Sequence, residues 1–231
     1  MNIYANRYNH INLTFNILWL YTKEKKENKM IKFIKFYALE VYTVISMLAL
    51  VISGIVGDLS VIQKFVLVYI FLFVLHEWEE MKYPGGFADM IAKMIKVDID
   101  EKMKRQSRIP TSILLLTFTL IPLFFHQYPI TVLPLAFLGL FEGFVHIFAI
   151  RLFRCQKFYS PGLVTAEIQA IVTIVLFSYL IKNNILSGID YLIGALIMCA
   201  CFVLMQKTIT QMVGIKYSDL PKMLKKQLAK K

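Results

Sequence analysis

Apolar residues run through this chain in long blocks separated by short polar stretches, and the blocks do not alternate in polarity as exposed strands would. A helix needs about 17 to 25 mainly apolar residues to cross a bilayer. By that measure, spans are predicted at Phe36 to Val56, Val61 to Leu75 with an extension into the polar residues that follow, Thr111 to Phe125, Ile130 to Phe153, Gly162 to Ile181, and Tyr191 to Gln206. Lipid leaves backbone groups satisfied only in helices or closed barrels, and barrel strands would alternate. The expected fold is therefore all-α, a polytopic membrane bundle of about six transmembrane helices.

One stretch departs from the pattern. Between Gly85 and Arg108, the apolar positions Phe87, Met90, Ile91, Met94, Ile95 and Val97 recur at roughly helical spacing among lysines and aspartates. That spacing predicts an amphipathic helix lying at the cytoplasmic interface rather than a span. The expected organisation is a polar or interfacial amino-terminal segment (1–32), a single transmembrane domain (33–208) and a basic cytoplasmic tail (209–231). Within the first segment, Ile11 to Tyr21 is too short to span and is read as interfacial.

Composition sharpens this picture. The 231 residues are 58% hydrophobic and only 18% charged, with a mean hydropathy of +0.60, whereas soluble domains are nearer a quarter charged. The net charge of +11 would suit a nucleic-acid partner, but its distribution follows the spans instead. Basic residues cluster before the first span, between the second and third, between the fourth and fifth, and in the tail; the opposite loops hold almost only Lys64 and Lys182. The positive-inside rule then predicts a multi-pass protein of the cell membrane with both termini cytoplasmic, its tail from Lys216 against anionic lipid headgroups. Cys155, Cys199 and Cys201 show no paired spacing and are read as packing thiols.

The candidate chemistry begins at His76-Glu77-Trp78-Glu79-Glu80, directly after the apolar run Phe65 to Leu75. An acidic residue at mid-bilayer costs roughly 2.5 to 3.5 kcal/mol, so a cluster near a span end needs partners, protons or water. At 1.5 Å per residue, His76 lies about 8 Å inside the cytoplasmic end of its span, His146 about 10 Å, and Glu167 about 9 Å. Glu142 is one turn deeper than His146, and Glu40 falls at a similar or shallower level. Nearly all the embedded ionisable groups thus share one layer.

Helical spacing sorts them further. His76, Glu79 and Glu80 share a face, as do Glu142 and His146, while Glu77 is turned about 100 degrees from His76. Imidazoles and carboxylates offered by facing helices suit a metal site within a bundle or a proton relay. The candidate ligands for a divalent metal, zinc among them, are His76, Glu79, Glu80, Glu142 and His146. Glu77 and Glu167 are the candidate catalytic acid–base residues. In Tyr159-Ser160-Pro161-Gly162, Ser160 is expected to cap the fifth span with Pro161 at its first position, delivering Thr165 and Glu167 into the layer. Trp78 and Tyr83 are read as interface aromatics, His126 as a turn residue, and Asp58 and Asp190 as loop or cap residues.

With those residues in place, the chain resembles the HXXEE-motif family of integral membrane proteins. His76-Glu77-Trp78-Glu79-Glu80 fits the motif, and Glu142-x-x-x-His146 and Tyr159 to Ala166 look like the family's later polar blocks, so the resemblance runs from Phe65 to Ile181. It implies that His76, Glu79 and Glu80 are signature positions, and it carries no assigned activity. Three functions therefore stand open: a metal-dependent intramembrane hydrolase acting on a lipid or membrane-embedded substrate, a proton-coupled transporter, and a non-catalytic assembly protein.

Overall fold

The computed structural model describes residues 28–153 and 158–228. Expectations placed on Ile11 to Tyr21, on Cys155 and on the basic positions Arg154, Lys157, Lys230 and Lys231 lie outside the described residues. Among the described residues there is no strand, and the fold is all-helical as expected.

A short helix, α1 (Lys29–Phe36), starts where the Asn28 side chain accepts a hydrogen bond from the Met30 amide, and it buries none of its residues. The chain from Ala38 onward is a separate compact unit. Its helices are α2 (Ala38–Val56), α3 (Val61–Met81), α4 (Phe87–Ile95), α5 (Glu101–Phe124), α6 (Leu133–Phe153, entered through a 3-10 turn at Pro129–Val132), α7 (Leu163–Lys182), α8 (Gly188–Met212) and α9 (Leu220–Leu228). Six of the described helices are long and apolar enough to cross a membrane, namely α2, α3, α5, α6 with its leading turn, α7 and α8.

Local chemistry sets their starts. Ser60 and Gln63 form a reciprocal capping box on α3, and Ser187 and Asp190 form another on α8, satisfying donors that the first turn leaves open. Asp190 is thus a cap residue, as its position suggested. The core is built around α3, whose Val66, Tyr69, Ile70 and Phe73 are almost fully buried. On α6, a Cβ added to Gly139 would come within 3.0 Å of both Thr173 Oγ1 and Tyr69 Cε1, so glycine permits the close approach of three helices there. The outward faces carry exposed Val51 and Ile55 on α2 and Ile171 and Ile174 on α7, as lipid-facing surfaces do.

Three boundaries around the site differ from the sequence reading. The third span begins at Glu101, ten residues before the expected Thr111, and continues through Pro110. Charged residues followed by a proline read as a helix start, yet here the helix runs on and draws Arg108 into the bundle. The amphipathic segment is correspondingly shorter: α4 ends at Ile95, where Lys96 adopts a left-handed conformation, and it buries Ala92 and Ile95. At the other end, α8 extends past Gln206 to Met212. The tail then turns at Gly214 and forms α9, which packs against α4.

Candidate functional site

His76 and His146 come from α3 and α6 and meet edge to face, with ring centroids 5.0 Å apart. Both are buried, His146 completely. The Nε2 atom of His76 lies 3.8 Å from Glu80 Oε1 and 3.9 Å from Glu142 Oε2. The Nε2 atom of His146 lies 3.4 Å from Glu80 Oε1 and 3.7 Å from Glu142 Oε2. Two imidazoles and two carboxylates therefore surround one point, as the shared face and shared depth suggested.

Hydroxyl groups on the segment that opens α7 decide how each ring is presented. Ser160 Oγ donates to the His146 backbone carbonyl at 3.0 Å, so it accepts from His146 Nδ1–H at 3.2 Å. Thr165 Oγ1 donates to Glu79 Oε2 at 2.6 Å, so it accepts from His76 Nδ1–H at 2.9 Å. With both Nδ1 atoms protonated, both Nε2 lone pairs point at the cluster. His146 Nε2 is buried and has no hydrogen-bond partner among the described residues. Hydrogen bonds of this kind orient metal-ligating histidines and fix their tautomers.

Gly162 closes the pocket from behind. Its φ is +95°, and an added Cβ would lie 2.5 Å from His146 Cε1 and 2.9 Å from Glu80 Cγ. Only glycine adopts that backbone easily and leaves room for the imidazole. The geometry also alters the expected helix start: α7 begins at Leu163 with Gly162 as its cap residue, and the Ser160 hydroxyl serves His146 instead.

Glu79 does the capping from another helix. Its Oε1 accepts from the Val164 amide at 3.2 Å and from Tyr159 Oη at 2.7 Å, and its Oε2 accepts from the Thr165 amide at 3.0 Å as well as the Thr165 hydroxyl. A carboxylate at a helix amino terminus is favoured by the unpaired amides and the dipole together. Burial raises the Tyr159 hydroxyl above its ordinary pKa, and the bond to Glu79 acts in the same sense, so Tyr159 remains a donor. Glu79 was a candidate metal ligand; its oxygens are instead turned to α7.

Arg108 is the residue that sequence reading missed. Its Nη1 lies 2.8 Å from Glu77 Oε2 and 2.8 Å from Glu80 Oε2, and all three side chains are buried. Glu77, expected as an acid–base residue, faces this guanidinium rather than the imidazoles. Glu167 is half-buried and does not line the cavity; its Oε1, without a hydrogen-bond partner among the described residues, faces Gly143 of α6. Glu40 pairs with Lys82 at 2.8 Å, away from the histidines.

His76, Glu142 and His146 each present a ligand atom, and these atoms all lie within 4.8 Å of one another. Donors around a zinc ion at about 2.1 Å would be about 3.4 Å apart in a tetrahedron; Glu142 Oε2 lies 3.9 Å from His76 Nε2 and 3.7 Å from His146 Nε2. His76, Glu80 and Glu142 help to line a cavity of about 270 Å³ whose wall is mainly apolar.

Among the described residues, the class is that of an all-helical protein with six helices long and apolar enough to cross a membrane and a His/Glu cluster between them. Residues 67–177, from α3 into α7, match the family described as "Protein of unknown function with HXXEE motif". The resemblance seen in the sequence is borne out over nearly the same segment. No curated protein and no solved structure matches the chain.

Proposed function

We propose that His76, Glu142 and His146 hold a divalent cation, zinc by ligand type, and that the protein is an intramembrane hydrolase acting on a lipid or other membrane-embedded substrate. The observation that carries this reading is the convergence of two hydroxyl-oriented Nε2 atoms and Glu142 on one buried point, with His146 Nε2 left without a partner. Charge supports it. Glu77, Glu80 and Glu142 counted as carboxylates against the single Arg108 guanidinium leave two negative charges in excess. A dication would neutralise them, and uncompensated charge inside a bilayer is costly.

When bound, such an ion would supply Lewis acidity and a more acidic water. The protein's own groups would do the rest. Glu80 is held through Oε2 by Arg108 while Oε1 stays beside both imidazoles, which suits a general base fixed at the ligand ring. Glu77 shares the guanidinium and acts as a positioning residue for Arg108. In the orientation expected from the basic loops, the site lies toward the cytoplasmic leaflet, within reach of lipid substrates.

The test is hydrolysis of a p-nitrophenyl alkanoate by zinc-loaded protein in detergent. Glu80→Gln should keep zinc yet lose about 10²- to 10⁴-fold in rate, and chelation should abolish turnover. Hydrolysis indifferent to both would overturn the proposal.

A further inference from the structure

The cavity beside the cluster is mainly apolar, with a few polar groups in its lining. Phe87, Ile91 and Ile95 of α4, Phe141 of α6 and Phe202 of α8 line it as a mainly apolar slot. Ser107 and Thr111 on α5 and Gln206 and Thr210 on α8 add polar groups to the same lining, pairs four residues apart that place each polar couple on one helix face. The Ser107 hydroxyl donates to the Lys104 carbonyl at 2.8 Å and the Thr210 hydroxyl donates to the Lys207 carbonyl at 3.0 Å. Their single protons are used, and their oxygens are left as acceptors.

The cations of the lining are also committed. Lys104 lies 2.7 Å from both Asp89 and Glu101, and Arg108 bridges Glu77 and Glu80. Each basic side chain thus holds two carboxylates, and a phosphate or carboxylate headgroup would meet no positive charge in excess. A headgroup that is uncharged and donates hydrogen bonds fits both observations.

Resting on the hydrolase reading of the same site, we infer that the substrate class is a neutral, hydroxylated acyl lipid of the monoacylglycerol kind. Its chain lies against α4, its hydroxyls against Ser107, Thr111, Gln206 and Thr210, and its ester toward His76 and Glu142. In the hydrolytic step, water adds to the ester carbonyl, the acyl–oxygen bond breaks, the alcohol leaves with a proton, and a fatty acid is released; no oxidant or reductant is needed.

Binding is tested apart from turnover. Monolauroylglycerol and lauroyl phosphate are titrated into the detergent-solubilised full chain and into its turnover-deficient Glu80→Gln variant by calorimetry, with zinc content and thermal melting measured on the same preparations. Monolauroylglycerol should bind at least about tenfold tighter than lauroyl phosphate. Ala92→Phe and Ala88→Trp, two independent fillings of the slot from α4, should weaken monolauroylglycerol by at least about tenfold while zinc content and melting hold. Equal or tighter binding of lauroyl phosphate, or undiminished monolauroylglycerol binding in a folded filled variant, overturns the inference. Zinc absent from a wild-type protein that still shows the expected lipid preference and its loss on filling would sink the metal reading while supporting the lipid site.

Discussion

Thr165 hands the same hydroxyl to two residues of the signature motif: it donates to Glu79 and accepts from His76 Nδ1, linking the cap of α7 to the orientation of an imidazole. Ser160 stands in the equivalent relation to His146. A single segment, from Tyr159 to Thr165, therefore both starts a membrane-length helix and aims the two histidines. Disturbing it should affect the cluster without removing any member.

Thr165→Val, close in shape but without the acceptor, should lower zinc affinity about 10- to 100-fold, as loss of an orienting partner does elsewhere. Thr165→Ser should restore most of it. Zinc titration against a competing chelator measures both, and equal affinities in all three proteins would mean that the hydroxyl orients nothing.

Glu79 provides the contrasting case. Glu79→Ala removes an acceptor from two amides and two hydroxyls and should cost about 1 to 2 kcal/mol of stability, the range for lost helix caps. Zinc stoichiometry should stay at the wild-type value, because none of its oxygens reaches the ligand ring. A melt in detergent read beside metal content separates the two roles; zinc lost at unchanged stability would make Glu79 a ligand after all.

Glu79 and Glu80 also mark where the sequence stops being informative. They lie three and four residues after His76, at about −60 and +40 degrees around the helix, so both count as its neighbours while facing different helices. Which one joins the imidazoles depends on whether α7 or α5 packs on that side, and that is tertiary information. The spans and the convergence of His76, Glu80, Glu142 and His146 were legible from periodicity and depth, and the family resemblance from the His76 to Glu80 motif and the polar blocks after it. Arg108 was not, because it closed the segment read as an interfacial amphipathic helix, and Pro110 after it placed the start of the next span beyond it. A basic residue one turn from the start of an apolar run, opposite a surplus of buried acids, was the available signal. Cys199, read as a packing thiol, is exposed on α8 and faces away from the helix contacts.

The Arg108 pairing predicts a large effect on stability. Arg108→Met leaves Glu77 and Glu80 buried without their cation and should destabilise by about 3 to 5 kcal/mol. Adding Glu77→Gln should recover part of that loss by removing one uncompensated charge. Thermal melts of the single and double variants give the answer, and an Arg108→Met protein as stable as wild type would mean that the bridge contributes nothing to the fold.

Metal content bears most directly on the central claim. Protein purified in detergent, dialysed against zinc and then against buffer, should retain one zinc per chain by elemental mass spectrometry, and His76→Ala, His146→Ala and Glu142→Gln should each lose it while keeping their helical spectrum. Wild-type protein that is folded but holds no divalent metal, or holds it unchanged in all three variants, would contradict a metal centre built from those residues.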